Sequence, residues 1–179
     1  MVVEKTKIPG LLVITPKVYA DPRGHFVEAY HDVRYGELGI PETFVQDNLS
    51  RSVQGTLRGL HFQNPQPQGK LLWVVRGEIF DAVVDLRRSS PTFGQSWWIT
   101  IGDANRQQIY VPPGCAHGFC VTSEFADVLY KCTDRYHPTG EKSLLWNDPA
   151  LGIPWPVSKP LLSLKDEAGL PLSACELYE

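Results

Sequence analysis

Short β-rich segments bounded by proline, glycine or aspartate recur along the whole chain. Nine of them have the length and composition of β-strands: residues 11–19, 25–30, 43–48, 71–76, 79–86, 97–101, 108–111, 119–122 and 126–132. Only residues 32–38 and one turn at residues 165–168 have a helical pattern. Many short strands with few helices predict an all-β sandwich or barrel and exclude a doubly wound α/β sheet.

Two of these segments indicate how their strands are covered. Residues 79–86 alternate, so that Phe80, Ala82, Val84 and Leu86 share one face while Asp81 and Asp85 fall on the other. Residues 71–75 are apolar on both faces, which predicts a strand that is covered on both sides.

Chain length and charge narrow the class of protein. The 179 residues are close to one domain on a prior of roughly 150 residues per domain, so we expect a single domain. The formal net charge of −3 argues against nucleic acid as a partner. No run approaches the ~18 apolar residues that a membrane span needs, so we expect no membrane association.

The N-terminus and the cysteines predict a cytoplasmic location. Charged residues and Pro9 interrupt the first segment before the apolar core of a signal peptide forms. Cys115, Cys120, Cys132 and Cys175 form no C-x-x-C pair and no zinc pattern. We therefore expect buried free thiols in a reducing cytosol.

Two histidines have informative neighbours. His117 lies in the run PPGCAHGF, whose P-x-G-x-x-H pattern resembles the second motif of the cupin β-barrels. The first cupin motif normally supplies H-x-H to a metal, but the corresponding positions here are His61, Phe62 and Gln63. Because glutamine does not match imidazole as a ligand, the metal site of three histidines and one carboxylate is incomplete. We therefore expect no metal and assign the imidazoles to acid–base chemistry.

Two other classes of function stay open on these residues alone. Metal analysis of the purified protein would identify a metal-dependent cupin enzyme, such as a dioxygenase or isomerase. A non-catalytic carbohydrate-binding jelly roll would take up no solvent deuterium into a bound 4-keto sugar.

Nine motifs, in order along the chain, resemble the dTDP-4-dehydrorhamnose 3,5-epimerase family. They are DPRGHF-x-E at residues 21–28, QDN at 46–48, RGLHFQ at 58–63, GKL at 69–71, PG-x-AHGF at 113–119, LYK at 129–131, WND at 146–148, GI-x-WP at 152–156 and LKD at 164–166. The resemblance implies a cupin-type jelly-roll β-barrel or sandwich with a few short helices, in a homodimer. Its core would cover residues of about 10–147, with a C-terminal extension over about 148–179. The implied activity is epimerisation at C3 and C5 of a dTDP-4-keto-6-deoxyhexose on the route to dTDP-L-rhamnose.

The chemistry of a 4-keto sugar explains which residue types such a site needs. Protons at C3 and C5 are acidified by the ketone, so inversion requires a base on one face, an enolate stabiliser and an acid on the other face. No redox or other cofactor is required. The resemblance assigns these roles to His61 as base with Asp166 as its partner, Lys70 as enolate stabiliser and Tyr130 as acid. Imidazole titrates near neutral pH, which suits a base. The parity of residues 126–132 directs the Tyr130 phenol into the barrel.

The resemblance also implies a binding site for the nucleotide. Arg23 and Arg58 would hold the diphosphate through forked guanidinium contacts, and Tyr136 would stack on the thymine. The remaining positions that match ligand contacts of the family are Glu28, Gln46, Asp47, Asn48, His117, Glu141 and Lys165.

Some features leave alternatives open. Asp166 also suits the cap of a short helical turn, and a strand tyrosine such as Tyr130 is commonly a core residue. Arg58 and His61 fall on opposite strand faces unless a bulge intervenes at Gly59. The same catalytic set would serve an epimerase acting at C3 or C5 only. Trp73 and Arg135 depart from the family pattern; a tryptophan at position 73 would alter packing near the sugar or at a dimer seam.

Overall fold

A computed structural model describes residues 1–40 and 43–178. Within them the chain forms thirteen β-strands and two short α-helices. The strands are β1 (Val2–Lys5), β2 (Leu12–Thr15), β3 (Val18–Asp21), β4 (Gly24–Val27), β5 (Gln46–Val53), β6 (Leu57–Gln63), β7 (Lys70–Arg76), β8 (Glu78–Asp85), β9 (Ser96–Gly102), β10 (Gln108–Val111), β11 (Cys115–Val121), β12 (Phe125–Cys132) and β13 (Glu141–Ser143). The helices are α1 (Asp32–Glu37) and α2 (Leu164–Glu167), followed by a 3-10 turn at Leu172–Ala174. No helix in the described ranges has the length and apolar character needed to cross a membrane.

Eleven of these strands form two antiparallel sheets that pack face to face. The first sheet has the order β1-β2-β10-β7-β12-β5, and the second has the order β13-β6-β11-β8-β9. Strands β3 and β4 form a separate hairpin that pairs with no other strand of the described chain. This arrangement confirms the predicted all-β class.

Apolar side chains from both sheets fill one end of the space between them. Leu72 of β7 and Val128 of β12 pack there with Val83 of β8 and Phe119 of β11, because alternate residues of each strand point inward. Tyr130 lies on the same inward face of β12, as its parity predicts, and is only partly buried. Polar side chains occupy the other end of this space.

Both outer faces of the sandwich also carry a packed layer. Leu71 and Tyr110 on the outer face of the first sheet contact Tyr35 of α1. Phe80 on the outer face of the second sheet lies against Trp155, with 5.5 Å between the ring centroids. The segment after residue 148 therefore covers the second sheet, and the turn predicted at residues 165–168 is α2.

The structure corrects several predicted strands. A single strand over residues 11–19 is wrong, because Pro16 interrupts it and separates β2 from β3. The strand predicted over residues 43–48 is β5, which begins at Gln46 and continues to Val53. The prediction missed its second half because the residues of β5 are mostly polar, although the strand pairs over its full length with β12. Strands β1, β6 and β13 were not predicted. In β6 the run Arg58–Gly59 breaks the alternation that marks a strand.

Candidate active site

Two adjoining cavities of about 190 and 260 Å³ lie between the sheets, at the polar end of the sandwich. Both are lined by His61, Lys70, Tyr130 and Glu141. A larger groove of about 690 Å³ lies on the outer face of the first sheet, beside the β3–β4 hairpin. None of the four predicted catalytic side chains lines that groove, so the inner cavities are the candidate site.

A β-bulge at Gly59 brings two predicted site residues to one wall. His61 pairs with His117 and Arg58 pairs with Phe119, so β6 has one more residue than β11 over this interval. Arg58 and His61 consequently both line the cavity, which confirms the bulge that strand parity required. Gly59 has φ +103°, and a Cβ atom there would lie 2.6 Å from the carbonyl oxygen of His117. A side chain at position 59 would therefore displace the wall.

His61 and Asp166 form a buried pair. The distance from Nε2 of His61 to Oδ1 of Asp166 is 2.5 Å, and Asp166 is 3% exposed. The carboxylate also accepts hydrogen bonds from the Gly59 N–H at 3.3 Å and the Ser163 hydroxyl at 2.7 Å. Ser163, not Asp166, is the N-cap of α2, since its hydroxyl accepts the Asp166 N–H. The Asp166 side chain is thus directed to the histidine, and the capping interpretation of Asp166 is wrong.

The environment of this pair favours a neutral imidazole beside an ionised carboxylate. Burial lowers the pKa of His61, and this effect exceeds the opposing influence of Asp166. Burial raises the pKa of Asp166, but the hydrogen bonds from His61 and Ser163 outweigh it and the pKa lies below its ordinary value. Asp166 therefore accepts the Nε2–H of His61, which leaves the Nδ1 lone pair free to take a proton.

Lys70 and Tyr130 lie on the opposite wall, in the first sheet. They belong to the paired strands β7 and β12, where Lys70 is opposite Cys132 and Tyr130 is opposite Leu72. Burial lowers the pKa of Lys70, although Cys132 and nearby carboxylates oppose this. Burial also raises the pKa of Tyr130, so its phenol holds a proton at neutral pH. A group that can accept a proton and a group that can donate one thus line opposite sides of one cavity.

A second histidine–carboxylate pair lies beside the first. Nε2 of His117 is 2.7 Å from Oδ2 of Asp81, and Asp81 is fully buried. Because His117 is the cross-strand partner of His61, both histidines belong to the wall formed by the second sheet. Sequence reasoning missed the role of Asp81, but the alternation of residues 79–86 had placed it on the face opposite the apolar one.

Polar side chains connect the mouth of the cavity to its interior. Glu141 accepts hydrogen bonds from the Tyr136 hydroxyl at 2.8 Å and from Nζ of Lys165 at 2.7 Å. Burial raises the pKa of Glu141, but the hydrogen bonds from Lys165 and Tyr136 lower it by a larger amount. The pKa of Glu141 therefore lies below its ordinary value. Gln46 and Asn48 point inward from β5 and line the same cavity. The structure therefore groups these five predicted binding residues at one end of the site.

Three other predicted binding residues lie outside the two inner cavities. Arg23, with a 90% exposed side chain, pairs with Asp21 in the β3–β4 hairpin. Glu28 forms an ion pair with Arg34. Asp47 points outward from β5 and accepts hydrogen bonds from Lys131. The remaining predicted contact, Arg58, is held in the cavity by a hydrogen bond of 2.9 Å from its Nε to the Ser52 hydroxyl.

Of the two departures from the family pattern, Trp73 lies outside this site, whereas Arg135 lies beside Gln63 at its edge. Trp73 points to the outer groove and not to the cavity centre. The Gln63 carboxamide donates to the carbonyl oxygens of Gln66 and Arg135, at 2.7 and 3.3 Å, so it organises the loop after β6. In the described ranges, no three histidine, cysteine or acidic side chains are grouped as metal ligands.

Comparison with known proteins connects this geometry to one family. Residues 5–174 match the family model of dTDP-4-dehydrorhamnose 3,5-epimerases. The Salmonella typhimurium protein of that name is 49% identical over 182 residues, with 100% of both chains covered. The Neisseria gonorrhoeae relative is 50% identical over 92% of this chain, which spans only 50% of that relative's length.

Among solved structures, dTDP-6-deoxy-D-glucose-3,5-epimerase from Legionella pneumophila, in complex with dTDP-4-keto-L-rhamnose, is similar over nearly the whole chain. It has a TM-score of 0.95 and 48% sequence identity, with 98% of this chain and 96% of that one covered. This similarity confirms the predicted cupin-type jelly-roll architecture.

Proposed function

The chain belongs to the dTDP-4-dehydrorhamnose 3,5-epimerase family, and from that premise we propose that its cavity inverts C3 and C5 of dTDP-4-dehydro-6-deoxy-D-glucose to give dTDP-4-dehydro-L-rhamnose. The enzyme is an isomerase. Substrate and product have the same oxidation level, so the reaction needs no net electron transfer. The observation that carries the mechanism is the placement of His61 and Tyr130 on opposite walls of one cavity.

Each inversion is a proton removal followed by a proton return on the other face. Nδ1 of His61 takes the proton from the carbon next to the ketone, and the electron pair of that bond moves into the enolate. Asp166 stabilises the imidazolium that forms, and the Lys70 ammonium stabilises the enolate oxygen. Tyr130 then donates its phenolic proton to the opposite face of the same carbon. Proton exchange with solvent restores His61 and Tyr130 for the second centre.

The nucleotide occupies the polar mouth of the cavity in this proposal. Tyr136 stacks on the thymine, while Arg58 and Lys165 provide positive charge for the diphosphate. The cavity between the nucleotide and the reacting sugar is lined by Gln46, Asn48, His117 and Glu141.

NMR of the product formed in D₂O tests the function: deuterium at both C3 and C5 of an L-rhamno product is expected. Inversion at one centre alone would make the enzyme a mono-epimerase.

The Asp166→Asn substitution should slow the reaction and shift its pH dependence. Asparagine keeps an acceptor for the Nε2–H of His61 but removes the charge that favours the imidazolium. His61 must be neutral to act, so activity falls as the pH drops through its pKa, which burial already lowers. Loss of the carboxylate lowers that pKa further and moves the acidic limb of the kcat/KM profile to lower pH. We expect a rate loss of about two to four orders of magnitude on the plateau.

Ser163→Ala is the matched control, since it removes one hydrogen bond to the Asp166 carboxylate but leaves its charge. It should reduce stability through loss of the N-cap, by about 1 kcal/mol. The acidic limb of its kcat/KM profile should remain close to that of the wild-type enzyme. An acidic limb that stays in place in Asp166→Asn would contradict the assigned role of the carboxylate.

We also propose that the enzyme is a homodimer formed through the outer face of the first sheet. Leu49, Leu129 and Trp73 are cross-strand neighbours there, on β5, β12 and β7. Leu49 is 68% exposed and Leu129 and Trp73 are half-buried, and an apolar row of this kind is typical of an interface. The edge of β5 and the β3–β4 hairpin have no other strand partner in the described chain. A partner's hairpin along β5 would bring a second Arg23 and Glu28 toward the cavity mouth.

Sedimentation at micromolar concentration should show a dimer for the wild-type protein and a monomer for Leu49→Lys, because the substitution buries an unpaired charge in the interface. Val2→Lys is the matched control. Val2 is 60% exposed on the opposite edge strand, β1, so this variant should remain dimeric. A wild-type monomer, or a dimer that persists in Leu49→Lys, would exclude this interface.

We propose a cytoplasmic location on the basis of the thiols. All four cysteines are free, and Cys115, Cys120 and Cys132 are buried. Free thiols are typical of proteins in a reducing compartment.

A further inference from the structure

A chain of side-chain hydrogen bonds follows the inner face of β5 and ends at a buried thiol. Oε1 of Gln46 accepts the backbone N–H of Tyr136 at 3.0 Å, and Nε2 of Gln46 donates to Oδ1 of Asn48 at 3.0 Å. Nδ2 of Asn48 then donates to Sγ of Cys132 at 3.6 Å. Cys132 is 2% exposed and lines the cavity together with Lys70.

The direction of this chain is set at its Tyr136 end. A backbone N–H can only donate, so Tyr136 requires the oxygen of the Gln46 carboxamide to face it. A neutral thiol can donate or accept, and the sulfur of Cys132 accepts the Asn48 amide once the Asn48 oxygen faces the nitrogen of Gln46. Each carboxamide is therefore fixed in one of its two orientations, and a rotated Asn48 would place two N–H groups against each other.

The thiol lies where this orientation matters for substrate. Cys132 pairs across the strands with Gln46 on one side and with Lys70 on the other. The structure shows no hydrogen bond between Cys132 and the His61–Asp166 pair in the described ranges. Its hydrogen bond is thus made to the nucleotide end of the cavity and not to the base.

We infer that Cys132 is a positioning residue for nucleotide recognition: it accepts the Asn48 amide and thereby holds Asn48 and Gln46 against the segment that carries Tyr136. This inference rests on the proposed function, because it takes Tyr136 as the residue that stacks on the base. The neutral thiol supplies an acceptor at the one position where an apolar side chain would leave the Asn48 amide without a partner.

Calorimetric titration with dTDP tests this role without catalysis. Cys132→Ala should weaken dTDP binding by about three- to tenfold, because the amide chain loses its terminal acceptor. Cys132→Ser retains an acceptor and should recover most of the affinity. The kcat of both variants should stay within about twofold of the wild-type value, so that the loss appears in KM.

Cys120→Ala is the control for removal of a buried thiol. Cys120 is 1% exposed in the outer apolar cluster of the second sheet and lines neither inner cavity. It should bind dTDP as the wild-type protein does. Equal dTDP affinities in Cys132→Ala and Cys120→Ala would overturn the inference, as would a kcat that falls as far as the affinity.

One further measurement tests the inference if the alanine variant does not fold. If Cys132→Ala does not fold, the side-chain ¹⁵N–¹H resonances of Asn48 in the wild-type protein and in Cys132→Ser report the acceptor directly. Resonances that are the same in both proteins would overturn the inference. Failure of the proposed nucleotide site is distinct, since the wild-type protein itself would then not bind dTDP.

Discussion

The His61→Ala enzyme should lose epimerisation and solvent-deuterium exchange together, each by about two to four orders of magnitude. Without Nδ1 of His61 no proton leaves the carbon next to the ketone, so no enolate forms at either centre. Deuterium incorporation and product configuration are both measured by NMR of the dTDP-4-keto sugar in D₂O. Exchange at C3 or C5 that stays within tenfold of the wild-type rate would assign the base to another group.

Substitution of His61 also removes a donor from a buried carboxylate, and stability must be measured beside activity. Asp166 keeps the Gly59 and Ser163 hydrogen bonds, but the loss of its histidine partner leaves a buried charge less well compensated. His61→Asn supplies an N–H donor without a titratable base, so it should be more stable than His61→Ala and equally inactive. His31→Ala, at the start of α1 on the outer layer, is the control for loss of an imidazole remote from the cavity.

Much of the fold can be predicted from the alternation of residues along the strands. This alternation places Asp81 on the face opposite Phe80 and Ala82, and Tyr130 on the inward face of β12. The same parity rule showed that Arg58 and His61 need a bulge at Gly59 to share a wall, and the register of β6 with β11 contains it. These inferences succeed because a strand has a fixed period of two, which any apolar face reveals.

Alternation fails where a strand lines a polar cavity. β5 has polar side chains on its inner face because Gln46 and Asn48 meet the cavity and not the apolar core. Its length is set by pairing with β12, a contact between distant parts of the chain. A pattern based on hydrophobicity contains no signal for such a strand.

The site itself depends on contacts that local sequence does not encode. His61 and Asp166 are separated by 105 residues, and only the return of the C-terminal segment to β6 brings them to 2.5 Å. The resemblance to the family predicts both residues of the pair. Without it, the local sequence around Asp166 also fits the cap of a short helix. The partner of His117, Asp81, was not named in either way, since a buried aspartate on a strand has no distinctive local pattern.

The Tyr130→Phe enzyme should separate proton exchange from inversion. The phenylalanine ring keeps the packing on β12, but no acid remains on the wall opposite His61. His61 still removes the proton and returns deuterium to the same face, so substrate of unchanged configuration should become labelled at C3 and C5. Inversion should fall by about two to four orders of magnitude, the scale for loss of a general acid. NMR in D₂O resolves the two outcomes at each carbon.

Tyr35→Phe is the matched control for this result. Tyr35 is also buried, and burial raises its pKa to about 12, but its hydroxyl donates to Gln108 on the outer layer of the first sheet. Removal of that hydroxyl should cost about 1 kcal/mol of stability and leave inversion intact. If Tyr130→Phe lost exchange and inversion equally, the phenol would be needed for enolate formation, and the assignment of base and acid to opposite faces would be wrong. Labelling at only one carbon would show that His61 reaches a single centre, as a mono-epimerase requires.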